Sequence, residues 1–133
     1  MDLNTLNLSE GADVGNTMEV KHPVTDEVLL DDNKKPATIT LLGSDSTVLR
    51  DAMKNRARKQ LRTKKPQSFD VDEAEKIGCE MLATCTVGWS GISENGSSVQ
   101  FSHEAATDLY LKYQWLRQQV DEFINDRENF FKA

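Results

Sequence analysis

The sequence predicts an α+β fold: a small antiparallel N-terminal hairpin or sheet, then a bundle of about four helices, with a short hairpin at about 87–101. Three observations predict it. Short runs with β-branched and aliphatic residues, punctuated by turn signals, end at Gly43. Apolar residues then recur at helical spacing through residues 44–86 and again through 102–133. Between these two blocks lies a Gly- and Ser-rich stretch with an Asn95-Gly96 pair, a strong reverse-turn signal.

Residues 1–17 are rich in Asn, Gly, Asp and Ser without apolar periodicity, so they read as a flexible arm; residues 18–133 read as one domain. Structure is expected to begin at Met18, where MEVKHPVTDEVLL brackets the turn signal Pro23-Val24-Thr25-Asp26. A second turn, Asp31 to Pro36, leads into ATITLLG, the best strand candidate. These runs make three short antiparallel strands with one apolar face, which a helix must cover.

The first helix is placed after Gly43, capped by Ser44 or Ser46, with Val48, Leu49, Ala52, Met53, Ala57 and Leu61 as its core face. Pro66 should end it, with Thr63–Ser68 as linker. The next helix opens on Asp70-Val71-Asp72-Glu73, a capping-box-like arrangement, and its expected face is Val71, Ala74, Ile77, Met81, Leu82 and Cys85. Ser102 caps a further helix with Ala105, Ala106, Leu109 and Tyr113 at helical spacing, and a break is expected near Gln114. The last helix puts Trp115 or Leu116, Val120, Phe123, Ile124 and Phe131 on one stripe.

Charge is segregated along the chain. Residues 50–65 carry eight Lys or Arg and one Asp, whereas 1–49 and 66–133 are net acidic, for a total of −6. A basic run of this kind contacts phosphates, meets an acidic protein surface, or is a solvated helix face. Arg50, Lys54, Arg58 and Arg62 are its candidate electrostatic contacts.

The 133 residues contain no apolar run long enough for a transmembrane helix, and the polar start has no secretory signal pattern, so a cytosolic protein is expected. Cys79 and Cys85 fall in one helix about 9 Å apart, beyond disulfide reach, and read as packing residues. His22 and His103 sit at a turn and a helix start, where exposed roles are expected. Phosphate-loop, dinucleotide and His-Glu-x-x-His patterns are missing. No catalytic, cofactor-binding or metal-binding residue is assigned, no cofactor is expected, and the protein is not expected to be an enzyme.

The positive signal is aromatic. Eight of the nine aromatic residues follow residue 88, the exception being Phe69. Most suit a core, yet Phe130 and Phe131 are adjacent and point about 100° apart on a helix, so only one can face inward squarely. The candidate protein-binding residues are Trp89, Ile92, Phe101, Trp115, Phe123, Phe130 and Phe131.

The segment Val87–Phe131 resembles the C-terminal block of tail assembly chaperones from long-tailed phages of the siphovirus type. The matching residues are Gly88-Trp89-Ser90-Gly91-Ile92, the Asn-Gly turn, Phe101-Ser102, Trp115-Leu116-Arg117, Gln119-Val120, Phe123, Asp126-Arg127 and Asn129-Phe130-Phe131. Val20-Lys21-His22-Pro23-Val24-Thr25 resembles the family's N-terminal hairpin. The resemblance implies an assembly factor that binds the tape-measure protein and keeps it soluble until the tail tube protein polymerises around it. It implies action in the host cytoplasm and absence from the finished virion. Several copies per client would add avidity, and a homo-oligomer is compatible. A groove beside the 89–101 hairpin and the last helix is the expected client site, with the basic helix orienting acidic stretches. The alternatives are a nucleic-acid-binding regulator using residues 50–65, disfavoured by the acidic flanks, and a minor structural tail protein retained in the virion.

Overall fold

The computed structural model describes residues 1–63 and 70–131. The expected end of the first helix at Pro66, most of the linker and Phe69 lie outside the described residues. Among the described residues the fold is α+β, with a three-stranded antiparallel sheet, a two-stranded hairpin and five α-helices.

Strands β1 (Asn16–Glu19), β2 (Thr38–Leu41) and β3 (Thr86–Ser90) form one sheet with β2 central. Met18 pairs with Ile39, and Ile39 with Trp89. Alternation does the rest: Met18, Ile39 and Leu41 turn inward and are buried, while Glu19 is exposed and Thr40 half-exposed. The expected strand at 27–30 is a correction. Its residues form only the isolated bridges Lys21–Val28 and Leu30–Pro36, and the third place in the sheet goes to β3, from the other half of the sequence. The reason is the two tight turns. His22 Nδ1 accepts from the N–H groups of Val24 and Thr25, with Asp26 at φ 63°, and Asp31 Oδ1 accepts from Asn33 and Lys35, with Lys34 at φ 61°. Between them only a single residue, Leu29, bridges Val20 and Ala37 through backbone hydrogen bonds.

The helices are α1 (Ser9–Val14), α2 (Thr47–Thr63), α3 (Val71–Thr84), α4 (His103–Lys112) and α5 (Gln114–Asn125). Their starts follow local chemistry. Ser46 Oγ accepts from Leu49 N–H, Asp70 from Asp72 and Glu73, and Ser102 from Ala105. Tyr113, extended at φ −111°, ψ 90°, makes the break between α4 and α5. Asn95 and Gly96, at φ 55° and 80°, turn the hairpin of β4 (Ser93–Glu94) and β5 (Ser97–Ser98).

The expected flexible arm is also a correction. Residues 1–17 hold a 3-10 turn at Leu3–Leu6, then α1 and the start of β1. Ala12 of α1 is buried, its carbonyl accepts from Gly43 N–H, and Asp13 Oδ1 accepts from Thr47 N–H at 2.7 Å. The docking uses backbone and small residues. A Cβ at Gly11 would sit 1.9 Å from the Phe130 carbonyl oxygen, and one at Gly43 would meet the Phe130 ring at 2.9 Å. Contacts of this type leave no apolar periodicity to read.

The core lies between the sheet and α3–α5. At its centre Tyr110 is fully buried. The Thr86 hydroxyl donates to the Leu82 carbonyl, so Tyr110 OH is the donor to Thr86 Oγ1 at 2.8 Å. Burial pushes Tyr110 up to about 12, against the hydrogen bond to Thr86. Cys79 and Cys85 are buried free thiols, and burial raises Cys85 to about 11; both are packing residues, as expected.

An open groove between three helices

The seven aromatic and aliphatic candidates do not converge. Trp89 and Phe101 spend their surface on each other, edge to face at 5.0 Å, and Trp89 Nε1 donates to the Val99 carbonyl. Ile92 and Trp115 line a cleft of about 390 Å³ with Val20, Leu29, Ala37, Leu109 and Leu116. Of the seven candidates, this cleft gathers only these two. Glu94 closes its hairpin side by accepting from Lys112 Nζ at 2.8 Å and from Tyr113 OH. Lys112, and then Tyr113, hold the Glu94 carboxyl below its usual range.

Phe123 and Phe130 lie at the far end of α5, edge to face at 5.6 Å. Of the adjacent pair, Phe130 is the buried one, 5% exposed, and Phe131 is 45% exposed; the stripe that ran through Phe131 is corrected accordingly. A 3-10 turn at Arg127–Asn129 breaks the helical phase before the pair is reached. It is pinned by a two-pronged Arg127–Asp45 ion pair at 2.9 and 3.1 Å and by Asn16 Nδ2 donating to the Asn129 carbonyl.

The larger opening is elsewhere, between α2, α3 and α5. It measures about 620 Å³ and is lined by Leu49 and Met53 of α2, Glu75, Gly78, Met81 and Leu82 of α3, and Gln114, Arg117, Gln118, Asp121, Ile124 and Asn125 of α5, with Ser44 at its end. Both helix faces expected to be core reach this opening, through Leu49 and Met53 and through Met81 and Leu82, and both leave some of their residues uncovered, although Leu82 and Cys85 are buried as expected. Among the described side chains of α2, Leu49 alone is buried; Met53 is 59% and Leu61 79% exposed, and Val48 and Ala57 are also exposed. On α3 the buried side is Cys79, Leu82 and Ala83, while Val71 is 65% exposed, Ala74 is exposed, and Ile77 and Met81 are half-buried.

The geometry has a simple cause. A helix advances about 100° per residue, so a strict four-residue repeat drifts about 40° at each step. Leu49, Met53, Ala57 and Leu61 therefore wind about 120° around α2, and a straight neighbour can cover only the first. Gly78 adds a second oddity. It lies inside α3, where glycine costs about 1 kcal/mol relative to alanine, yet a Cβ there would meet nothing within 4 Å. The monomer's own packing gives no reason for a glycine at this position.

The electrostatic candidates also divide. Arg50, Lys54, Arg58 and Arg62 are all exposed. Arg50 and Lys54 lie about 60° and 100° round from Met53, on the side of the drifting stripe, whereas Arg58 and Arg62 lie about 140° and 180° away. Arg56 instead reaches α3, 3.8 Å from Glu80. In the groove floor Arg117 donates to Glu75 at 3.0 Å and lies 3.4 Å from Cys79 Sγ; these two contacts, the thiol and then the carboxylate, favour its charged form.

The molecule is thus a small α+β body with an open groove between α2, α3 and α5. The family model described as YdaY prophage protein matches residues 44–133, about two thirds of the chain. The chain belongs to the YdaY prophage protein family and is phage-derived. The matched region starts at the entry to α2 and includes every residue that lines the groove. No curated protein and no solved structure matches the chain.

Proposed function

We propose that this prophage-family protein is a tail assembly chaperone, which holds the apolar helices of a tape-measure protein in solution until tail tube protein polymerises around them. The observation that carries the reading is the pair of apolar helix stripes, on α2 and α3, that the folded chain leaves uncovered beside a groove of about 620 Å³. A holdase needs apolar surface that can be covered and released, on a body whose net charge keeps it dispersed; the net charge of −6 supplies the second requirement. Phage origin and the resemblance of the 87–131 block to tail assembly chaperones support the same reading. On it, the chain acts in the host cytoplasm, works without a cofactor, makes or breaks no covalent bond, and leaves before the virion is complete.

Co-expression with the tape-measure protein of the same prophage tests this. The client should move from the pellet to the soluble fraction when the chain is present and be captured with it. A client that pellets equally with and without the chain overturns the proposal, and the chain's recovery in purified particles would make it a structural tail component.

A further inference from the structure

The outer side of α2, away from the groove, carries two parallel rows of unlike chemistry. From them we infer that α2 is itself a docking surface, for an amphipathic helix of another protein that bears carboxylates along one flank. The inference rests on the holdase reading for its biological setting and on the surface of α2 for its content. The first row is apolar and consists of Met53, Ala57 and Leu61, all exposed. The second is basic and consists of Arg50, Lys54 and Arg58, also exposed. Each cation stands three residues before an apolar neighbour and about 60° round the helix from it, so the rows run side by side. Met53 starts the apolar row at the edge of the groove, whereas Ala57, Leu61 and the whole basic row lie outside its lining.

The basic row is uncompensated. Among the described residues none of its three cations forms an ion pair, and Arg58 donates to the neutral Asn55 side chain at 3.4 Å. The one carboxylate of α2, Asp51, lies about 60° beyond Lys54, away from the apolar row. On the opposite flank Arg56 is turned to Glu80 of α3, at 3.8 Å. The exposed cations therefore line one side of the apolar row.

A row at four-residue spacing is a ridge of the kind that packs into the matching groove of a second helix, at a crossing angle of about −50°. A partner helix crossing α2 in this way covers Met53, Ala57 and Leu61 with its own apolar row and sets carboxylates on its flank against Arg50, Lys54 and Arg58. Nucleic acid is a poorer occupant. Phosphates would complement the cations but leave Met53 and Leu61 against a polyanion, whose approach a net charge of −6 opposes. A second copy docked through α2 would set one basic row against another.

The test uses the full chain and two synthetic helices with the same leucine row, one flanked by Glu and one by Lys, each labelled for fluorescence anisotropy. The Glu-flanked peptide should bind at least about tenfold more tightly, by a margin that narrows as salt is added. Lys54→Glu with Arg58→Glu should reverse the preference. Lys59→Glu with Lys76→Glu, which changes the net charge equally at exposed sites off the two rows, should retain it. Leu61→Ala should weaken both peptides by about fivefold or more while leaving thermal unfolding in place. Equal binding of the two peptides overturns the inference, as do equal effects of the two charge-reversed pairs or full affinity in Leu61→Ala. So does a DNA duplex or an anionic lipid vesicle that displaces the Glu-flanked peptide, or a chain that sediments as a dimer and becomes a monomer on Leu61→Ala. The two proposals fail separately. If the client is held in solution but the peptides bind alike, the docking surface falls and the chaperone stands. If the peptides behave as expected but the client always pellets, the chaperone falls and the docking surface stands.

Discussion

The two sides of α3 are made from similar residues and have opposite fates. On one, Cys79 and Ala83 are sealed against the core that holds Tyr110, with Leu82 buried at its edge beside the groove. On the other, Val71 and Ala74 are exposed, Ile77 and Met81 are half-buried, and Met81 lines the groove. Apolar character alone therefore does not make a core residue. What decides is whether a neighbouring element runs parallel to the stripe long enough to cover it. One side has such neighbours in α4 and β3, whereas the packing of α2 buries Leu49 and leaves Met53 and Leu61 exposed.

That contrast can be broken by mutation. Tyr110→Ala should destabilise by about 3–5 kcal/mol, read as a lowered urea midpoint, because it opens a large cavity at the core's centre. Phe130→Ala should fall in or just below the same range of about 3–5 kcal/mol, and Phe131→Ala should stay within about 0.5 kcal/mol. If the two phenylalanines behave alike, the C-terminal clasp on Gly11 and Gly43 is misassigned. Thr86→Val removes the acceptor for the buried Tyr110 hydroxyl and should cost about 1–3 kcal/mol. On the groove side, Leu61→Ala should shift stability by less than about 0.5 kcal/mol despite its place in an apolar repeat. A loss near that of a core leucine would show that the stripe is covered in solution.

The smallest effect concerns the β4–β5 hairpin. Glu94 is held below the ordinary carboxylate range by Lys112 and Tyr113, so its contribution is present above the unfolded-state value. It is lost as pH falls through the lower folded-state value. Amide exchange at Ser93–Ser98 should quicken through that interval in the native chain and show no such step in Glu94→Gln.

Much of the secondary structure was legible because it depends on neighbours in sequence. Ser102 and Asp70 announce their helices, Asn95-Gly96 its turn, and Thr38–Leu41 its strand by alternation. The candidate site was legible in its ingredients and misplaced in its assembly. Ile92 and Trp115 do share a cleft, but Trp89 and Phe101 are occupied with each other and Phe130 is buried against α1. Met53, Gly78 and Met81 were missed as site residues because they read as core or as nothing. The one available hint was the unbroken four-residue spacing from Leu49 to Leu61, whose drift forbids full burial against a straight neighbour.

By itself the sequence determined β2 and the helices α2 to α5, their caps and turns, the segregation of cations into α2, and the class of fold, since each is set within a few residues by backbone and side-chain chemistry. Only the tertiary structure decided that β3 completes the sheet, that α1 is docked beneath Phe130, and which apolar stripe is covered. Those outcomes depend on the distance and angle between elements far apart in the chain, and periodicity along one helix carries no information about where the next one lies.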